Sequence, residues 1–279
     1  MPYSEEKKEK LNKLAKDIRL TVLEMIYKAG SGHPGGSLSA VEIIMTLYFD
    51  KMKLDPKNPQ WEDRDRFVAS KGHCAPTLYT VLADKGFFSK SELYTLRRIN
   101  SILQGHPDML KTPGVDVSTG SLGHGLSVGI GMALGGRLSK KDFYVYVLVG
   151  CGELNEGQVW EAAMAAVKYQ LDHLIAIIDY NCYQLDGSME DIMPLGDVVA
   201  KWRSFGWNVM EINGHKSEEI SDAIDEAKKV KGRPTVIVAH TVKGKGVSFM
   251  ENTHLWHGKK ISEDDYEKAV SELRETSHG

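Results

Sequence analysis

The chain has 279 residues, 42% of them hydrophobic, and a formal net charge of −3, enough apolar matter for a substantial core and no electrostatic bias towards nucleic acid or an anionic membrane. Cys74, Cys151 and Cys182 form an odd, widely spaced set without CxxC spacing, which fits reduced thiols of a cytoplasmic protein better than a disulfide framework. Charges stand where a signal peptide needs an apolar run, and no apolar stretch approaches membrane-spanning length.

From Ser4 to Lys28, Leu11, Leu14, Ile18, Val22, Met25 and Ile26 recur at helical intervals and predict an amphipathic helix. Ala29 to Ser37 carries four glycines and a proline and reads as a break holding His33, which alone is a solvated loop residue. Helix resumes over Ser39–Phe49. After a polar loop, Arg66–Ser70 reads as a short strand delivering Lys71-Gly72-His73 ahead of a helix from Pro76 to Ala83. Taken alone, His73 is a helix-start residue bonded to backbone. The stretch Ser101–Thr119 is long enough for a loop to suggest function, and His106 lies in it between Gly105 and Pro107, a turn histidine on the plainest reading. Gly120 to Gly136 holds seven glycines with Leu122, Leu126, Ile130 and Leu134 at four-residue spacing, as in a tightly packed buried helix. His124 there is expected to be a packing histidine.

Tyr144–Val149 and Leu174–Ile178 are apolar, β-rich runs suited to central strands of a covered parallel sheet, and Glu156–Tyr169 between them has the stripe of a crossover helix. Ligands of open α/β sheets bind beyond the carboxyl ends of the strands. Those ends carry Gly150-Cys151-Gly152-Glu153 and, about thirty residues on, Asp179-Tyr180-Asn181. Helices are expected over Leu195–Phe205 and Ser217–Lys229, and strands over Trp207–Ile212, half-buried, and Thr235–His240. Lys243-Gly244-Lys245-Gly246 is either a solvated turn or a loop facing phosphate. A fold of the α/β class follows, a mostly parallel sheet covered by helices on both faces, as one domain over residues 1–279.

The segment from Gly150 to Asn181 resembles the thiamine-diphosphate motif of transketolases, a GDG turn followed after nearly thirty residues by Asn. Ser31-Gly32-His33-Pro34-Gly35, Ser70-Lys71-Gly72-His73, Gly105-His106-Pro107, Thr119-Gly120-Ser121-Leu122-Gly123, Leu154-Asn155-Glu156-Gly157 and Trp256-His257-Gly258 resemble further motifs of that family in the same order. The resemblance ends with the chain, whereas a full-length transketolase continues into a pyrimidine-binding domain and a third domain. It therefore implies the N-terminal, diphosphate-binding subunit of a split transketolase.

Thiamine diphosphate as cofactor is what the resemblance implies. It places His73 at the diphosphate, Gly120, Ser121 and Leu122 beside the aminopyrimidine, and Gly150, Cys151, Gly152, Glu153, Asn181, Tyr183 and His257 around the cofactor, and Lys243 of the strand-end loop is the further candidate for diphosphate or substrate phosphate. His33, His106 and His257 become candidates for proton transfer and donor binding. Glu156, by itself a dipole-complementing residue at a helix start, joins a carboxylate network that crosses a subunit interface. The diphosphate's divalent cation, Mg²⁺ or Ca²⁺, would be held by Asn181, the carbonyl of Tyr183 and the motif's Asp, whose place is taken by Cys151. A thiol is a soft, poor ligand for such cations, so a weakened metal site is expected, with water or Glu153 as stand-ins for the lost carboxylate.

The glutamate that activates the aminopyrimidine lies, in the family, on the absent domain, so a C-terminal partner subunit is expected, with self-association as α2β2 and sugar phosphates as substrates. The expected reaction moves a two-carbon ketol unit from a ketose phosphate to an aldose phosphate. A carboligase of deoxyxylulose-phosphate-synthase type fits the ELNEGQVWEA run less well. Cys151 leaves open a degenerate, non-catalytic subunit.

Overall fold

The computed structural model describes residues 3–275. Five parallel strands, β1 (Arg66–Ala69), β2 (Val145–Gly150), β3 (Leu174–Tyr180), β4 (Asn208–Asn213) and β5 (Thr235–His240), form one sheet in the order β1-β2-β3-β5-β4. Around it lie α1 (Glu5–Ala29), α2 (Pro34–Ser39), α3 (Val41–Thr46), α4 (Ala75–Lys85), α5 (His124–Leu138), α6 (Gly157–Lys168), α7 (Met189–Ile192), α8 (Val198–Ser204), α9 (Ser217–Lys229) and α10 (Glu263–Glu275).

The period-two geometry of a strand sends alternate side chains to opposite faces. Phe67, Ala69, Tyr146, Leu148, Ile175, Ile177 and Ile237 enter a core shared with α1, α3, α4, α9 and α10. Val68, Val145, Val147, Val149, Leu174, Ala176, Ile178 and Val236 enter another shared with α5, α6 and α8. Both faces of β2 and β3 are thus covered, which explains the unbroken apolar runs there, whereas β4 at the sheet edge is only half-buried. The expected α/β architecture is present.

Helix ends follow local chemistry. The Ser4 side chain accepts from the backbone N–H of Lys7 at 3.2 Å, and α1 stops where Gly30 turns left-handed at φ 64°. Three elements depart from the sequence reading. The glycine-rich break ends early, because Pro34 opens α2 as its first residue and the whole Pro34–Ser39 turn is buried, so packing overrides the poor helix propensity of Gly35 and Gly36. The helix of the Gly120–Gly136 segment starts only at His124, and one face of it, with Gly131 and Gly135, is exposed rather than buried. His124 is correspondingly a surface residue. Finally α10, absent from the sequence reading, docks on α1 through Ala269, Leu273 and a ring stack of Tyr266 on Tyr27 at 4.5 Å.

Gly125 shows how closely α5 is set against the end of β1. A Cβ there would stand 2.7 Å from Ser70 Cα, well inside contact distance. Gly125→Ala is therefore expected to lower stability by roughly 1–3 kcal/mol through overpacking, measured by chemical denaturation, while Gly131→Ala on the open face of the same helix should be neutral or stabilising.

Candidate functional site

The carboxyl ends of β1, β2, β3 and β5 meet around one buried charge pair. Lys71, 1% exposed, has its Nζ on the carboxylate of Asp179, 0% exposed, and also donates to the carbonyl of Gly36 at 2.8 Å. Asp179 further accepts from Ser39 Oγ at 2.6 Å, from Asn181 Nδ2 at 3.3 Å and from Thr241 Oγ1. Burial opposes ionisation of Asp179, yet Lys71 and these donors hold its carboxyl below the usual range. Burial likewise disfavours the charged form of Lys71, and Asp179 outweighs it, so the ammonium is raised.

Glu153 is equally committed. It accepts from Ser70 Oγ, from the N–H of Gly123 at 2.8 Å and from the N–H of Gly150 at 3.0 Å, closing the turn after β2 onto the α5 entry. Burial raises its pKa against those hydrogen bonds.

Beside this framework lies a cleft of about 310 Å³, within the usual size of small-molecule sites. Its lining includes His73, Leu122, Gly150, Cys151, Gly152, Glu153, Glu156, Asn181, Tyr183, Lys243 and His257, all anticipated from the sequence, together with Gly36, Lys71, Asn155, Gln184 and Leu185, to which the sequence gives no site role. Glu156 is exposed at the mouth. Ser121 is exposed and outside the lining, and Gly120 lies under the His106 ring, where a Cβ would come within 3.2 Å of its Cγ.

Four histidine rings cluster together, His73 and His257 in the lining of the cleft and His33 and His106 outside it. His33 lies 5.4 Å from His73, 6.1 Å from His106 and 5.5 Å from His257, and His73 lies 5.0 Å from His257. Burial, then the nearby cations, pushes His33 down to about 4 and His257 down to about 3, and His73 well below the usual imidazole range. Burial and Arg97 also lower His106. These rings are neutral at neutral pH, each with one nitrogen able to accept a proton and one able to donate. The Nδ1 of His33 is buried without a hydrogen-bond partner, as is Nε2 of Gln184.

Lys243 is 2% exposed, and its ammonium meets only neutral groups: the carbonyls of Tyr183 at 3.4 Å and Gln184 at 3.1 Å, and Nδ1 of His257 at 2.8 Å. Burial and the charge of Lys71 push it down to about 8. A buried cation without a counter-ion, beside unpaired polar atoms in a cleft of this size, fits an anionic head group such as the diphosphate of thiamine diphosphate.

The expected divalent cation is another matter. Cys151 is a buried thiol, pushed up to about 11 by burial and Asp179, and it donates to Asn181 Oδ1 at 3.6 Å. The carbonyl of Tyr183 already accepts from Lys243. Glu153, the anticipated stand-in for the missing carboxylate, is engaged by Ser70, Gly123 and Gly150, and Asp179 is tied into the framework. Among the described residues no group of three His, Cys, Asp or Glu side chains is placed to hold a metal. With a thiol, an amide oxygen that already has two donors and a carbonyl engaged by Lys243, the donor set lacks the carboxylate that ordinarily joins phosphate oxygens around Mg²⁺ or Ca²⁺, and it does not fit these cations.

Comparison with known proteins bears on the same residues. Residues 10–276 match the family model described as transketolase, thiamine diphosphate binding domain. The chain is 48% identical over 256 residues to a 6-deoxy-6-sulfo-D-fructose transketolase subunit of Clostridium sp. (strain MSTE9), covering 92% of this chain and 93% of that protein. It is 46% identical over 257 residues to one of the subunits of an apulose-4-phosphate transketolase from Phocaeicola vulgatus, covering 92% and 91%. Among solved structures, a transketolase of Pichia stipitis in complex with sedoheptulose 7-phosphate superposes with a TM-score of 0.90 at 35% identity, over 95% of this chain and 40% of that one. The chain thus spans nearly all of the two bacterial relatives and under half of the full-length enzyme.

Removing one member of the buried pair should cost far more than removing both. Lys71→Met is expected to destabilise by about 3–5 kcal/mol, and Lys71→Met with Asp179→Leu to recover most of that loss, read by denaturant melts. The depressed carboxyl of Asp179 contributes stability that is complete above its ordinary value of 3.8 and drains away as pH falls below it, so the wild-type melting temperature should fall more steeply in acid than that of the double variant.

Proposed function

Because the chain belongs to the family of transketolase thiamine diphosphate binding domains, we propose that it is the diphosphate-binding subunit of a transketolase, transferring a two-carbon ketol unit from a ketose donor to an aldose acceptor. A second chain supplies the pyrimidine-binding domain. The observation that carries this reading is a buried, uncompensated ammonium in a cleft lined by His73 and His257, with the ring of His33 packed against both of these and His106 beside His33. Relatives named as separate transketolase subunits, matched along nearly their whole length, support the two-chain arrangement.

Thiamine diphosphate, when bound, supplies a nucleophilic carbon and an electron sink for cleaving the bond next to a ketone. The residues of this chain do the rest. Lys243, His73 and the backbone at Gly150 and Gly152 hold the diphosphate. Leu122, with Gly120 and Ser121 before it, borders the ring system, and Glu156 at the cleft mouth faces the second chain. His33 and His106 bind the donor sugar's hydroxyls, and His33 and His257, neutral at neutral pH, accept and return protons there. Donor and acceptor are anionic sugars, phosphorylated or, as in the name of the Clostridium relative, sulfonated. The relatives' names favour this reading over a deoxyxylulose-phosphate-synthase-type carboligase or a non-catalytic subunit. An α2β2 assembly in the cytoplasm, with residues 1–279 as one diphosphate-binding domain, completes the proposal.

Mixing the purified chain with its pyrimidine-domain subunit, thiamine diphosphate and a ketose phosphate should give aldose release that neither chain gives alone. His33→Ala is expected to lower kcat by roughly 10²–10⁴-fold with cofactor affinity retained. Turnover by this chain alone, or full activity in the variant, overturns the assignment.

A further inference from the structure

A diphosphate needs positive charge wherever it is bound, and the cleft supplies that charge in an unusual way. At the end of β2 the position nearest Asn181 holds a thiol, whose hydrogen points to the Asn181 oxygen at 3.6 Å. The Asn181 oxygen also accepts the N–H of Tyr183 at 3.2 Å, so it already has two donors. The next oxygen along, the Tyr183 carbonyl, is taken by the ammonium of Lys243. Both nearby carboxylates are committed: Asp179 neutralises Lys71, and Glu153 holds the turn to α5. Lys243 is therefore the one uncompensated cation among the described residues that line the cleft.

Its position is also fixed independently of any ligand. The neighbouring Val242 N–H donates to His215 Nε2 at 2.8 Å, and His215 Nδ1 in turn donates to Glu42 at 2.9 Å. Arg19 pairs with Glu42 and donates to the carbonyl of Lys245 at 3.0 Å. Gly244, left-handed at φ 79°, lets this loop pass close under Met250, so both sides of Lys243 are braced from α1 and α3. A cation held this rigidly loses little freedom on meeting an anion.

We infer that this chain binds thiamine diphosphate without a divalent cation, the ammonium of Lys243 supplying the charge that a metal ion would otherwise bring to the diphosphate. The inference rests on the ketol-transfer reading and adds to it how the cofactor is held. Cys151 is then part of the adaptation, since a thiol in place of a carboxylate avoids adding a second negative charge beside the diphosphate.

The test is calorimetric titration of thiamine diphosphate into the complex of this chain with its pyrimidine-domain subunit, in EDTA and in excess Mg²⁺. Kd is expected to differ by less than about threefold between the two. Lys243→Met should weaken binding by about tenfold or more in both conditions, and Lys243→Arg should restore most of it, separating charge from folding. Cys151→Asp should create metal dependence, with binding about tenfold or more tighter in Mg²⁺ than in EDTA. Wild-type binding that collapses in EDTA and returns with Mg²⁺ or Ca²⁺ overturns the inference while leaving ketol transfer intact. Recovery with Mn²⁺ or Zn²⁺ alone overturns it equally, pointing to a soft cation held by the thiol. No saturable binding in any condition would remove the functional reading and this inference together.

Discussion

The contact between Lys71 and Asp179 organises the carboxyl edge of the sheet. Two opposite charges, both sealed from water, tolerate little separation, because in a low-dielectric interior their attraction must offset the loss of hydration of each. The remaining lone pairs and protons are satisfied by Ser39, Gly36, Asn181 and Thr241, so the pair ties β1 and β3 to α2 and to the loop after β5. With this joint formed, the turn after β2, the Asn181 side chain and Lys243 stand around one cleft. Burial, and after it the nearby positive charge, keeps the neighbouring imidazoles neutral, the state from which they can exchange protons near pH 7.

Much of this arrangement was legible in the sequence where the signal was local. The runs Tyr144–Val149 and Leu174–Ile178 read as buried strands because both faces are covered, and the glycines after Val149 marked a turn at the sheet edge. The four histidines emerged only through family motifs, since nothing in their spacing brings together residues from four separate loops. The Lys71–Asp179 contact spans 108 positions, and Asp179 was visible only as a polar residue ending an apolar run. A charge that terminates a strand of both-face-buried residues needs a partner, and that was the available clue. Glu153 shows a related limit: sequence shows a carboxylate near the missing one but not the Ser70, Gly123 and Gly150 donors that engage it.

Helix α2 and helix α10 show two other limits. Pro34–Ser39 has little intrinsic preference for helix and is set by burial, which only the packed structure reveals. In α10 the apolar positions Tyr266, Ala269 and Leu273 were readable at helical spacing, but among many acidic residues they make a weak stripe that gains meaning only against Tyr27 and the rest of α1.

The segments that bear the site also bear oily side chains facing water: Ile99 is 93% exposed, Leu110 88%, Leu255 64% and Leu185 59%. Such side chains cost nothing to a molecule that keeps them covered, but on a solitary chain they are sticky. On the two-chain reading proposed above, this subunit in excess over its partner leaves those positions open to water, and its solubility should fall accordingly.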